Sequence, residues 1–285
     1  MPVTNSPLRY PGGKTKLSSY VTDLLIKNDL LDGHYIEPYA GGAGLAISLL
    51  LHGYARYIHL NDLDRSIYAF WYCVLNETEN LCRYIKDVHV NLDEWKKQRN
   101  IQEEKKESDL LSLGVSTLFL NRTNRSGILS GGVIGGKLQD GKYKIDARFN
   151  KEGLINKIKS IAFYRSRIKI YNKDAIEFIQ KDVAILPENS IINLDPPYYI
   201  KGKALYENSY THKDHEQISE KISTLKQYWF VTYDNVGPIK ELYSRFAILE
   251  FSLSYSAQKR YFGKEILIAD PRLKLPAYEK LCSIQ

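Results

Sequence analysis

The chain is predicted to be an α/β protein, a largely parallel sheet interrupted by one mainly helical insert. Three observations carry that prediction. Between residues 35 and 64 a strand, a glycine-rich turn, an apolar helix and a second strand follow one another, the opening of a βαβ unit. Alternating strands and helices resume near Ile168. Between these two stretches the pattern changes to helical segments rich in Lys and Glu, followed by a glycine-dense loop.

In chain order, SPLRYPGGKTK (6–16) reads as a loop, and the helix after it carries Leu17, Val21, Leu24 and Leu25 on one face. A strand ending at Tyr35-Ile36 runs into the turn EPYAGGAG (37–44) and an apolar helix over 45–51. The second strand, 57–60, ends in Asn61-Asp62-Leu63-Asp64. The middle stretch contains WKKQRNIQEEKKESD and then SGGVIGGK. Further strands are predicted at 168–171, 191–194, 229–232 and 266–269, with helices around 174–181 and 213–225. The resulting division is an α/β domain formed by 1–65 and 150–285, with an inserted helical module at 66–149.

Charge is unevenly spread. The chain has 285 residues and a net charge of +7, yet the segment 121–170 holds twelve basic residues against three acidic ones. That segment alone is +9, so the remainder is −2. A positive stretch on a near-neutral body suits a polyanion partner, the bland alternative being a solvated basic face. No apolar run approaches the roughly 18 residues of a membrane span, and the polar N-terminus has no secretory h-region. Cys73, Cys82 and Cys282 lack metal-ligand spacing and fit a reduced, cytoplasmic setting; no metal is expected, His212 and His215 included.

Three segments can carry chemistry. In the turn after the first strand, Gly41, Gly42 and Gly44 let backbone approach a ligand, although Ile47 breaks the strict dinucleotide fingerprint. Asp62, about 20 residues on at the next strand end, suits the diol of a ribose, so an adenosine-type ligand is expected. Gly12-Gly13-Lys14-Thr15 mimics the tail of a phosphate-binding loop, but Leu8 stands where a glycine is needed and no strand precedes it. Lys14 is left as a loop lysine able to face a carboxylate or phosphate.

The strongest signal is Asp195-Pro196-Pro197-Tyr198, directly after an apolar strand. Two prolines end the strand and hold the backbone extended, which projects Asp195 from the sheet edge. The Asp195 carboxylate and the Pro196 carbonyl are two acceptors a residue apart, matched to the two hydrogens of one exocyclic amine. Tyr198 offers a ring for a planar base.

LRYPGGK (8–14), EPYAGGAG (37–44), LNDLD (60–64) and DPPY (195–198), in that order, resemble the Dam-type, alpha-group adenine DNA methyltransferases. FLNRTNRSGI (119–128), the GGVIGG loop and KRYFGKEILI (259–268) extend the resemblance over nearly the whole chain. It implies a Rossmann-like, S-adenosylmethionine-dependent methyltransferase sheet, with the insert as target-recognition domain. Tyr10 and Lys14 would contact the cofactor, Lys14 pairing with its carboxylate. Glu37, Tyr39, Gly41 and Gly42 would wrap the methionine end, Tyr39 standing where relatives often have Phe. Asp62 would hold the ribose hydroxyls and Asp174 would sit near the adenine.

Asp195, with Pro196, would bridge cofactor and target amine, and Tyr198 would stack on an adenine flipped out of the duplex. Arg122, Asn124 and Arg125 are residue types that read base edges or bind phosphates. The implied partner is double-stranded DNA in a prokaryotic or phage-type, nucleoid-associated setting, with a separately encoded restriction endonuclease as companion in a restriction–modification pair. The same pocket would also serve a cytosine-amine or RNA methyltransferase, and a catalytically silent DNA-binding regulator could retain the fold.

Overall fold

Alternating apolar residues on short β-branched runs give seven strands that join one sheet. The computed structural model describes residues 4–9, 14–200, 210–255 and 261–282. Its strands are β1 (Gly33–Glu37), β2 (Ala55–Asn61), β3 (Ile168–Tyr171), β4 (Ile191–Leu194), β5 (Tyr228–Asp234), β6 (Ala247–Tyr255) and β7 (Tyr261–Ala269). The order across the sheet is β3-β2-β1-β4-β5-β7-β6. The first five positions are parallel, while β7 runs antiparallel to both β5 and β6. The order reverses between β1 and β4, so the sheet is doubly wound and Rossmann-like. In such sheets ligands bind in the crevice outside the carboxyl ends of the strands at that reversal.

Eleven helices are described: α1 (Ser18–Lys27), α2 (Gly44–Leu51), α3 (Arg65–Asn76), α4 (Thr78–Asp87), α5 (Leu92–Glu103), α6 (Leu110–Thr123), α7 (Lys151–Phe163), α8 (Ala175–Phe178), α9 (His212–Ile222), α10 (Gly237–Leu242) and α11 (Tyr278–Cys282). The period-two alternation of the strands explains why both faces are covered. Tyr35, Ile58, Ile191, Phe230 and Leu267 point to one face, where Leu24, Leu49, Phe70, Leu118 and Ile158 pack on them. Ile36, Ile192, Leu194, Val231 and Ile268 point to the other, against Phe178, Ile218, Ile222 and Ile239. Strand β6 and helix α10 were not among the sequence expectations, and β5 and β7 extend beyond the predicted 229–232 and 266–269.

The helices within 66–149 share the core of the sheet. Phe70 and Trp71 of α3 and Leu118 and Phe119 of α6 belong to the same apolar cluster as Tyr35 and Ile191. Helix α6 lies against α3 so closely that a Cβ on Gly114 would stand 2.4 Å from Cys73 Sγ and 2.5 Å from the Ala69 carbonyl oxygen. Neither neighbour is the loose end of a flexible side chain. Gly114→Ala is therefore expected to lower the unfolding free energy by about 1–3 kcal/mol through overpacking. A chemical denaturation midpoint equal to that of the parent would refute this contact.

Candidate active site

The crevice at the ends of β1 and β4 is lined by one face of the sheet. Glu37, Asn193, Thr232, Asp234 and Glu265 keep the side-chain parity of Tyr35, Ile191, Phe230 and Leu267, but each is polar and lies toward the strand ends on the crevice side. The apolar face thus becomes hydrophilic where the strands open. The turn after β1 is held in shape from two sides: Gly41, at φ +45°, donates its N–H to Asp62 Oδ2 at 2.8 Å, and its carbonyl accepts from Trp71 Nε1 at 3.0 Å. Ala43 follows in the left-handed region, at φ +45°, and opens α2.

Two carboxyls flank that turn. Glu37 Oε1 accepts from the Ala46 N–H at the start of α2, 3.2 Å away. Burial pushes its pKa up to about 8, against the Ala46 bond and assisted by the charge of Asp195. Asp62, which also accepts from the Asp64 N–H at 2.9 Å, is pushed up to about 7, again by burial first. Neither carboxyl has a cationic partner among the described residues. Two buried acids held part-protonated for want of positive charge form a site that suits a cationic ligand.

Asp195 leaves the end of β4 with a quarter of its side chain exposed, and its Oδ1 accepts from Thr232 Oγ1 at 3.0 Å. Lys14, buried at the start of the first helical turn, places Nζ 2.9 Å from Asp195 Oδ1 and 2.7 Å from the Tyr198 hydroxyl. The Tyr198 hydroxyl donates to Glu265 Oε1 at 2.6 Å, and Glu265 Oε2 is 3.6 Å from Lys14 Nζ. Burial raises the Glu265 pKa, and the Lys14 charge opposes the rise. Beyond Tyr198 the chain is anchored by Asp234, which accepts from the N–H groups of Tyr199 and Ile200 at 3.0 and 3.2 Å.

The expected site residues fall into distinct groups. Glu37, Gly41, Gly42, Asp62, Asp195, Pro196 and Tyr198 lie at the crevice, as does Tyr39, whose hydroxyl bonds that of Tyr210 at 3.0 Å. Asp174 is exposed and caps α8, accepting from the N–H groups of Ile176 and Glu177. Tyr10 lies outside the described residues. Lys14 faces carboxylates of the protein itself: its ammonium is engaged by Asp195, Tyr198 and Glu265 at the strand-end motif.

Asn124 is turned inward. It is fully buried; its Oδ1 accepts from Trp95 Nε1 and its Nδ2 donates to the carbonyls of Ile128 and Leu129. With every side-chain group used inside the fold, it shapes the turn and is not presented to bases. Arg125 is exposed, Arg122 half-buried. His215 is a core residue hydrogen-bonded to the Tyr233 hydroxyl, and only His212 lies at the surface. Sequence reasoning did not single out Glu265, Thr232 or Asp234. Glu265 stood within KRYFGKEILI, but pairing it with Lys14 needed the sheet order.

A doubly wound sheet with a glycine turn after β1, an acid after β2 and an Asp-Pro-Pro-Tyr corner after β4 defines the S-adenosylmethionine-dependent methyltransferase class. The chain matches the model of the D12 class N6 adenine-specific DNA methyltransferases over residues 10–257 and belongs to that family. It is similar to the type II methyltransferase M.MjaIII of Methanocaldococcus jannaschii, 26% identical over 271 residues that cover 90% of this chain and 86% of the relative. Among solved structures, it resembles TrmN from Thermus thermophilus at a TM-score of 0.39 and 11% identity, covering 89% of this chain and 48% of that one. It also resembles the rRNA methyltransferase aviRa from Streptomyces viridochromogenes, at a TM-score of 0.38 and 12% identity, covering 91% of this chain and 86% of that one. The chain thus spans about half of the TrmN chain. S-adenosylmethionine is the methyl donor, and the buried Glu37, with no cation beside it among the described residues, suits its cationic methionine end.

Proposed function

We propose that the protein methylates the exocyclic amine of an adenine flipped out of duplex DNA within a short recognition sequence. The observation that supports this most is the meeting of Asp195 with Glu37 at the β1/β4 reversal, a planar-amine acceptor beside a cation-seeking pocket. When bound, S-adenosylmethionine supplies a methyl group activated by its sulfonium. Glu37, Tyr39, Gly41 and Gly42 would enclose the methionine end, Asp62 would accept from the ribose hydroxyls, and Asp174 would lie toward the adenine.

Asp195 and the Pro196 carbonyl accept hydrogen bonds from the two hydrogens of the target amine, draw its lone pair out of ring conjugation and stabilise the positive charge that grows on the nitrogen, which then gives up one of those protons to Asp195 and so to solvent. Tyr198 stacks on the extruded base, its ring set by Lys14 and Glu265 through the hydroxyl. Lys14 acts by holding Asp195. Flipping costs a few kcal/mol, which stacking and these hydrogen bonds offset. Arg122 and Arg125 would meet the DNA. A restriction endonuclease acting at the same sequence is the companion such a reading implies.

The test is incubation with radiolabelled S-adenosylmethionine and unmethylated genomic DNA, followed by digestion to nucleosides. Label in N6-methyladenine is expected; label in a methylated cytosine, or none in DNA, overturns the reading. The raised acids give a second readout. Positive charge arriving beside Glu37, near 8, and ribose hydroxyls donating to the charged form of Asp62, near 7, lower both, so S-adenosylmethionine binding at pH 7 is expected to release protons. The release should fade below about pH 5, where both acids stay protonated until the ligand arrives and largely afterwards. Calorimetry in buffers of different ionisation enthalpy measures it, and heats independent of buffer at pH 7 would contradict the assignment.

A further inference from the structure

Arg122 occupies the last turn of α6, yet its buried Nε has no hydrogen-bond partner. The charges that bear on its guanidinium are all positive, those of Arg9, Arg148 and Lys157. Burial and this repulsion together pull its pKa down to about 10. Among the described residues none of the four pairs with an acid. An unpaired, half-buried guanidinium amid like charges is costly, and folds keep such groups where a counter-charge arrives from outside.

The cluster is built rather than accidental. The Asn121 side chain grips Arg9 from both directions, accepting from its N–H at 2.7 Å and donating to its carbonyl at 2.8 Å. Arg9 in turn donates from a terminal guanidinium nitrogen to the Asn124 carbonyl at 3.2 Å. Gly127, at φ +78°, has no room for a Cβ, which would stand 2.4 Å from the Arg9 carbonyl oxygen. From α7, Lys157 Nζ reaches to 3.5 Å from the Ser6 carbonyl oxygen. The N-terminal segment, the end of α6 and α7 are thereby held together, while Arg148 approaches from an exposed loop.

Guanidinium forks match pairs of oxygens on a tetrahedral oxyanion, and several converging cations exceed what one carboxylate needs. We propose that Arg9, Arg122, Arg148 and Lys157 form a clamp for one backbone phosphodiester of the DNA, fixing its register without reading sequence. This rests on the reading of the protein as a DNA methyltransferase. It gives Arg122 a different task from Arg125, which remains exposed at the neighbouring turn.

The experiment is equilibrium binding of the full chain to duplex DNA over a salt series, with duplexes that do and do not contain the methylated sequence. Arg122→Gln, and separately Arg148→Gln at its exposed position, are expected to weaken both duplexes alike, by about tenfold. Each should also reduce the salt slope by about one. Unchanged affinity and slope in both variants overturn the clamp. A loss confined to the duplex with the target sequence overturns it as well, since that marks base reading.

Inorganic phosphate separates this proposal from the functional reading. If the parent protein binds no duplex DNA, the DNA assignment fails, and thermal melting in phosphate then judges the cations. Stabilisation by phosphate in the parent and not in Arg148→Gln would keep an oxyanion site, for a free phosphate. No stabilisation would remove it.

Discussion

Asp195→Ala is expected to reduce methyl transfer by at least about 10²–10³-fold at saturating substrates, the loss that follows removal of one preorganised polar partner from a reacting centre. The variant should still bind duplex DNA, because the basic surface that would carry the phosphate contacts lies on the N-terminal segment, the end of α6 and α7. One feature makes the effect large. Asp195 is held by Thr232 Oγ1 and Lys14 Nζ on the same carboxylate oxygen, which leaves the group little freedom to lose during reaction. The carbonyl of Pro196 remains, so binding of the amine is weakened and not abolished. Single-turnover measurement isolates the chemical step; a rate within tenfold of the parent would remove Asp195 from the reaction.

Lys14→Met should be nearly as damaging, by a different route. Its ammonium is the positive charge shared by Asp195 and Glu265 and the donor to the Tyr198 hydroxyl. Without it Glu265 loses the one charge that opposes its burial, and two acidic groups and a phenol face one another around an apolar methyl. Truncating one partner of a buried ion pair costs about 3–5 kcal/mol. Asp195 is partly exposed, so a value near the lower end is expected for unfolding. The rate should fall by about 10²-fold, because Asp195 and Tyr198 lose their common anchor. Adding Glu265→Gln removes the orphaned acid and should recover part of the stability. A double-mutant cycle with no coupling between positions 14 and 265 would dissolve the network.

Much of the architecture was legible because short strands dense in Ile announce themselves. β3 and β4 coincide with the predicted 168–171 and 191–194, short runs dense in Ile. β6 escaped because in AILEFSLSY polar residues interrupt the apolar ones, and Glu250 and Ser252 are exposed. The crevice was legible where one segment carries its own chemistry, as Asp195-Pro196-Pro197-Tyr198 does. It was hidden where partners meet across the sheet. That Glu265 lies beside Lys14, or that Arg9 adjoins Arg122, follows from strand order and helix packing, which no local pattern encodes. Asn124 is the reverse case: its residue type suits base reading, but only the fold reveals that all its hydrogen bonds are already taken.

The link between Lys14 and Glu265 has a consequence for how the enzyme comes into being. Lys14 precedes every strand, whereas Glu265 lies on β7, the strand translated last of the seven. Between their syntheses the ribosome adds some 250 residues, at a pace of about 5–20 per second. A nascent chain that already displays its basic segment therefore has no assembled Asp195–Lys14–Tyr198–Glu265 quartet. Chains cut short before β7 lack that quartet and, on the proposed mechanism, would not transfer methyl groups.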